Sequence, residues 1–265
     1  MKKLQWPLRA LLFVGLLQVV SCTKNLDAVP NDSVSTEVSN DLTFPTTNEF
    51  STCKIRRIYQ SYGVGLATIS AVFTYDHRGN PVSVLYNNDD IANDHFFIYD
   101  RLGRLREYRP TDGIGRGTHF YGYDANNRII KDTSITAPGS MYEQRFVITL
   151  TYDNQGRIIK ENIVNYWNAP GEGNDNPLRP TRNPTYTYDA RGNVAVKGWK
   201  SSSYDNKPSI FRTHPVFQFI HRNYSVNNSS TQAKYNSKGL PLAVVPGNDY
   251  FFNLENVTKA IYDCQ

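Results

Sequence analysis

The chain has 265 residues, room for one large or two modest domains, and 39% hydrophobic with 13% aromatic residues is enough for a packed core, which excludes a chain that stays unfolded. The formal charge of +5 falls to about +2 once Lys2, Lys3 and Arg9 are set aside with a leader segment, and the remaining basic residues are scattered singly, which excludes a nucleic-acid groove. Eighteen Tyr and 13 Phe against two Met favour strands, because aromatic rings sit well on a pleated, half-buried surface.

Lys2 and Lys3 precede an apolar run, "ALLFVGLLQVV" at residues 10–20, of signal-peptide length. It is shorter than the ~20 apolar residues that a membrane-crossing helix needs. The run leads into "VVSC", residues 19–22, which resembles the bacterial lipobox. That resemblance implies that residues 1–21 are removed and that Cys22 becomes the lipidated first residue of the mature chain. Two or more acyl chains on one cysteine are what stable anchoring requires. Residues 23–50 are rich in Ser, Thr, Asn, Asp and Pro and read as a tether, so 22–50 is lipidated cysteine plus tether and 51–265 a single domain.

With Cys22 used by lipid, Cys53 and Cys264 remain, an even pair in an exported, oxidising compartment. A disulfide between them is the favoured reading, two buried free thiols the other. They bracket the folded region almost to the residue.

From residue 53 onward one unit recurs: "YDHRGNPVSV" (75–84), "YDRLGRLREY" (99–108), "YDANNRIIKD" (123–132), "YDNQGRIIKE" (152–161), "YDARGNVAVK" (188–197) and "YNSKGLPLAV" (235–244). Internal repetition is therefore the organising fact. In D-x-x-G the Asp suits the first corner of a type I turn, its carboxylate accepting the backbone N–H two residues on. The glycine suits the residue that must take φ > 0 in the bulge re-entering the second strand. The departures respect this chemistry: Asn127 replaces one glycine and Asn236 one aspartate. Flanking runs alternate with period two, as in "FVITLTYD", where Phe146, Ile148, Leu150 and Tyr152 share one face. Pro81 and Pro241 cannot donate to a ladder and belong at a strand start, an edge or a bulge. No apolar stripe persists at helical spacing beyond two turns. The expected fold is all-β: roughly twelve to fourteen antiparallel strands in serial hairpins, forming a long curved meander sheet or open barrel.

Two stretches break the spacing and read as long loops: residues 167–184, rich in Pro, Gly and Asn, and residues 200–234, containing "YDNKPSIF" and "PVFQFI". The Y-D-x-x-G units resemble YD repeats of the RHS type. With the lipobox, the tether, Cys53 at the domain start, the late "YDNKPSIF" and the Tyr262-Asp263-Cys264 ending, the chain is similar to a family of Bacteroidetes lipoproteins of uncharacterised function. The resemblance implies a β architecture and no established activity, and six units are too few for the enclosing shell of the large RHS proteins.

Chemistry-bearing patterns are sparse. His77, His95, His119, His214 and His221 are dispersed and form no metal motif, "NNDDIAND" lacks the calcium-loop order, and no nucleophile elbow is present, so no metal or cofactor is expected. Tyr166 and Trp167 open one insert and Trp199 flanks the other; planar rings of this kind stack on sugar faces or partner surfaces, or else cap the core. The expected function is thus a lipid-anchored, non-enzymatic binding or scaffold module of the cell envelope, sited at the outer membrane, recognising a glycan or envelope protein through the insert loops. An enzyme using a carboxylate pair on envelope polysaccharide, and a purely structural component, are the alternatives.

Overall fold

The computed structural model describes residues 53–61, 68–87, 93–111, 117–138, 143–167, 177–195, 203–229, 234–243, 251–252 and 257–264. They belong to one compact unit, Asn40–Gln265.

The repeated corner behaves as its sequence predicts. In every copy the N–H of the fourth turn residue donates to the Asp or Asn carbonyl, as from Gly79 to Asp76 at 3.0 Å and from Gly156 to Asp153 at 3.1 Å. The glycines take φ between 70° and 90°, and Asn127, standing in for one of them, takes 59°. The Asp carboxylate accepts the N–H two residues on and also the one four residues on, 2.9 and 2.9 Å at Asp153. Asn236 makes the same pair of bonds with its amide oxygen.

These corners generate a ten-strand antiparallel meander: β1 (Cys53–Ser61), β2 (Thr68–Tyr75), β3 (Pro81–Tyr86), β4 (His95–Tyr99), β5 (Leu105–Pro110), β6 (Thr118–Tyr123), β7 (Ile129–Thr136), β8 (Gln144–Tyr152), β9 (Ile158–Trp167) and β10 (Pro177–Arg182). Two short hairpins follow, β11 (Thr187–Tyr188) with β12 (Val194–Ala195), and β13 (Lys234–Tyr235) with β14 (Pro241–Ala243). The last strand, β15 (Val257–Cys264), returns to pair with β1, completing an eleven-stranded sheet that does not close into a barrel. Cys53 lies opposite Cys264 in that pairing and the two are disulfide-bonded. In most corners a register shift follows at once: Tyr152 faces Ile158 but Thr151 faces Lys160, and Pro81 and Pro241 occupy the first strand position beside such shifts, where no ladder donor is needed.

The structure corrects the reading of both inserts: Pro177–Arg182 of the first form β10, paired with β9, and the second is changed more deeply. Residues 203–229 are not a surface loop. They contain a 3₁₀ turn (Ile210–Thr213) and a short helix, α1 (Pro215–His221), whose Val216, Phe217 and Phe219 are fully buried. His214 caps α1 by accepting the Val216 N–H at Nδ1, and Pro215 starts it. Phe217 packs on Phe73 of β2, Phe97 of β4, Phe251 and Phe252, with ring centroids 5.3–6.3 Å apart. Seven residues make only two turns, too few for helical spacing to show in the sequence. The inner sheet face therefore buries against α1: Ile55, Ile58, Ala71, Phe73, Val84, Phe97, Tyr108, Ile129, Leu150 and Ile158 join it in one cluster.

Candidate functional site

The tyrosines explain why the unit recurs. The Tyr hydroxyl of one unit donates to the carbonyl of the first strand residue after the preceding corner: Tyr99 to Pro81, Tyr123 to Leu105, Tyr152 to Ile129 and Tyr188 to Ile158, at 2.6–2.9 Å. Between them sit the arginines. Arg157 bonds its own Asp153 at 2.7 Å and lies 3.9 Å from the ring centre of Tyr188 in the next unit. Arg104 and Arg128 repeat this with Asp100 and Tyr123, and with Asp124 and Tyr152. The corners at Asp100, Asp124 and Asp153 are thus locked to themselves and to the next unit, and these charges are paired there.

The same ladder runs on from β12 to β15 through the corrected insert. Tyr204 donates to the Val194 carbonyl at 2.7 Å, Asn193 and Asn227 exchange hydrogen bonds, Tyr235 donates to Asp205, and Tyr262 donates to the Pro241 carbonyl.

A second constellation was not visible in the sequence. Arg222, which ends α1 in a left-handed conformation (φ 53°), reaches Asp132 on β7 at 2.8 Å and Glu161 on β9 at 3.6 Å. Glycine would suit that backbone better, but the guanidinium is the counter-ion for two buried acids. His119 Nδ1 lies 2.8 Å from Asp132, and the Tyr186 hydroxyl donates to Glu161. Burial works to raise the Asp132 carboxyl, yet its bonds to His119 and Arg222 outweigh this and hold it below the usual carboxylate range. Asp132 and Arg222 stand 90 residues apart, so no local pattern announces the pair. With side-chain exposures of 2% and 7%, Asp132 and Glu161 are satisfied ions of the core. Among the described residues no three His, Cys, Asp or Glu side chains gather as a metal site.

The opposite, outer face of the sheet carries exposed apolar residues. Register places Ile98, Glu107, Phe120, Thr133, Val147 and Val164 in one row across β4 to β9, with Phe96 facing Arg109 beside it. Phe96 and Phe120 are 36% and 41% exposed. Parallel to that row, Ile135, Arg145 and Tyr166 stand opposite one another, and the Arg145 guanidinium lies 4.9 Å from the Tyr166 ring centre. Lys131 and Lys160 are exposed on this face, whose one strand acid from β3 to β9, Glu107, is covered by Arg106 and Arg109. At the far end an open depression of about 440 Å³ is lined by Arg57, Tyr59, Val72, Thr74 and Ile261 among others, and Arg57 and Lys259 both lie over the Tyr59 ring.

Of the residues singled out in the sequence, Tyr166 is half-buried on this face and Trp167 is the last residue of β9, opposite Gln144. Cys22, Trp199 and residues 168–176 lie outside the described residues.

Neither a protein-family model nor a curated protein matches the chain. Solved structures give partial likenesses. A crystal structure of TcdB2-TccC3-Cdc42 matches at TM-score 0.29 and 13% identity over 67% of this chain and 9% of that one. A Photorhabdus luminescens Tc holotoxin pore matches at 0.28 and 12%, over 71% and 10%. The likeness is weak. The chain spans about a tenth of the length of those it matches.

Proposed function

We propose that the chain is a non-enzymatic binding module held at the cell envelope by a lipid on Cys22, one of the Bacteroidetes YD-repeat lipoproteins, and that it meets its partner with the outer face of the sheet. The observation that carries the reading is how the two faces divide their charge. On the inner side the two acids that converge, Asp132 and Glu161, are neutralised by Arg222 and enclosed, a poor arrangement for a carboxylate pair that must admit substrate and water. The corner aspartates are held by backbone N–H groups and their own arginines or asparagines. The outer face presents exposed aromatic rings and cations together. Insert recognition narrows accordingly, since residues 203–229 build the core and Tyr166 stands on the outer face.

The anchor is tested by fractionating cells that express Cys22→Ser: the variant chain leaves the membrane fraction, and an unchanged distribution overturns the anchor. The surface is tested by Phe120→Ala in the full chain, which abolishes partner capture from envelope extracts while leaving the melting temperature within a degree or so. An enzymatic role is favoured instead if turnover of envelope polysaccharide is found and is lost in Glu161→Gln.

A further inference from the structure

The outer face is long. From β1 to β9 it crosses eight strand spacings, roughly 38 Å at the ~4.8 Å that separates hydrogen-bonded strands. Its rings are distributed over that distance: Tyr59 on β1, Phe96 on β4, Phe120 on β6 and Tyr166 on β9. A cation accompanies them at intervals: Arg57 and Lys259 over Tyr59, Arg109 facing Phe96, Lys131 one strand beyond Phe120, and Arg145 over Tyr166. A small molecule cannot engage groups so far apart, so the spacing selects a polymer.

The chemistry selects its class. Exposed aromatic rings receive the apolar faces of sugar rings, and guanidinium and ammonium groups receive carboxylates, in bidentate fashion for arginine. The strand acids that would repel an anion are few from β3 to β9, where Glu107 is already ion-paired.

Resting on the reading of this face as the binding surface, we propose that its ligand is an acidic polysaccharide lying across the strands, its sugar rings on Phe96 and Phe120 and its acid groups on the exposed Lys131 and Lys160. The probe is polygalacturonate titrated against the full chain in detergent, with dextran, single-stranded DNA and phosphatidylglycerol vesicles in parallel. Polygalacturonate binds saturably, more weakly as salt rises. Phe120→Ala and Lys131→Gln each weaken it about ten-fold or more, with unchanged melting temperatures. Dextran binding as tightly, with Phe120→Ala still damaging, overturns the acidic class but leaves the face as a glycan surface. Polygalacturonate binding that neither substitution alters overturns the face itself. DNA or vesicles bound as tightly as polygalacturonate reduce the effect to charge alone and overturn the proposal, as does the absence of polygalacturonate binding.

Discussion

At the scale of the residue, a few turn-forming groups carry the architecture. Gly156 sits at φ 70°, and its counterpart Asn127 at 59° is the residue type that best tolerates this region. Gly156→Val therefore destabilises by ~1–2 kcal/mol or more, because a β-branched side chain is forced into that conformation, whereas Gly156→Asn loses markedly less. Urea denaturation of both variants checks the order; equal midpoints would contradict the turn geometry. The roles of Asp and Gly in the corner were legible in the sequence because each departure kept the mechanism. The roles of Tyr and Arg were not. Both point to the neighbouring unit, and a contact between units leaves no trace inside one unit beyond the bare fact of repetition.

At the scale of the element, α1 is the piece the sequence concealed. "PVFQFI" alternates in a way that suits a strand equally well, and only the proline start and the His214 cap decide for helix. The cap makes the element sensitive to acid. Burial lowers the His214 imidazole from 6.5 to about 3, so the folded state holds it neutral and able to accept the Val216 N–H. The unfolded chain binds this proton at pH values where the folded one does not. The stabilisation is complete above about pH 6.5 and is lost progressively as pH falls toward 3. Asp76, Asp100, Asp124 and Asp189 add a second loss at lower pH. At Asp124 and Asp189 the N–H four residues on is the main cause of a lowered carboxyl, and at Asp76 and Asp100 the same bonds overcome partial burial. Their stabilisation stands above the unfolded carboxylate value near 4 and falls away below it. Melting temperatures of the parent protein should begin to fall below about pH 6.5, whereas His214→Asn, which keeps a capping oxygen without a titrating group, should hold level until about pH 4. Coincident profiles would remove His214 from the account.

At the scale of the whole molecule, the all-β class, the serial hairpins and the link between Cys53 and Cys264 were readable from residue types alone. How the chain is led back over the 211 residues between those cysteines was not, because it depends on the insert bridging β12 to β13. In the chain-entropy view, closing so long a loop contributes ~5 kcal/mol. The double variant Cys53→Ser with Cys264→Ser should lose stability on that order in urea, and a loss below ~1 kcal/mol would mean that the β1–β15 ladder alone secures the ends. A twisted sheet of this width tends to curl, and here it does so around residues supplied by the inserted segment. The fold stands on that segment being interior. Hydrogen exchange of the full chain, read by mass spectrometry, tests this directly. Peptides across Val216–Phe219 are predicted to exchange as slowly as those across Phe146–Leu150; exchange there at the rate of an open loop would contradict it.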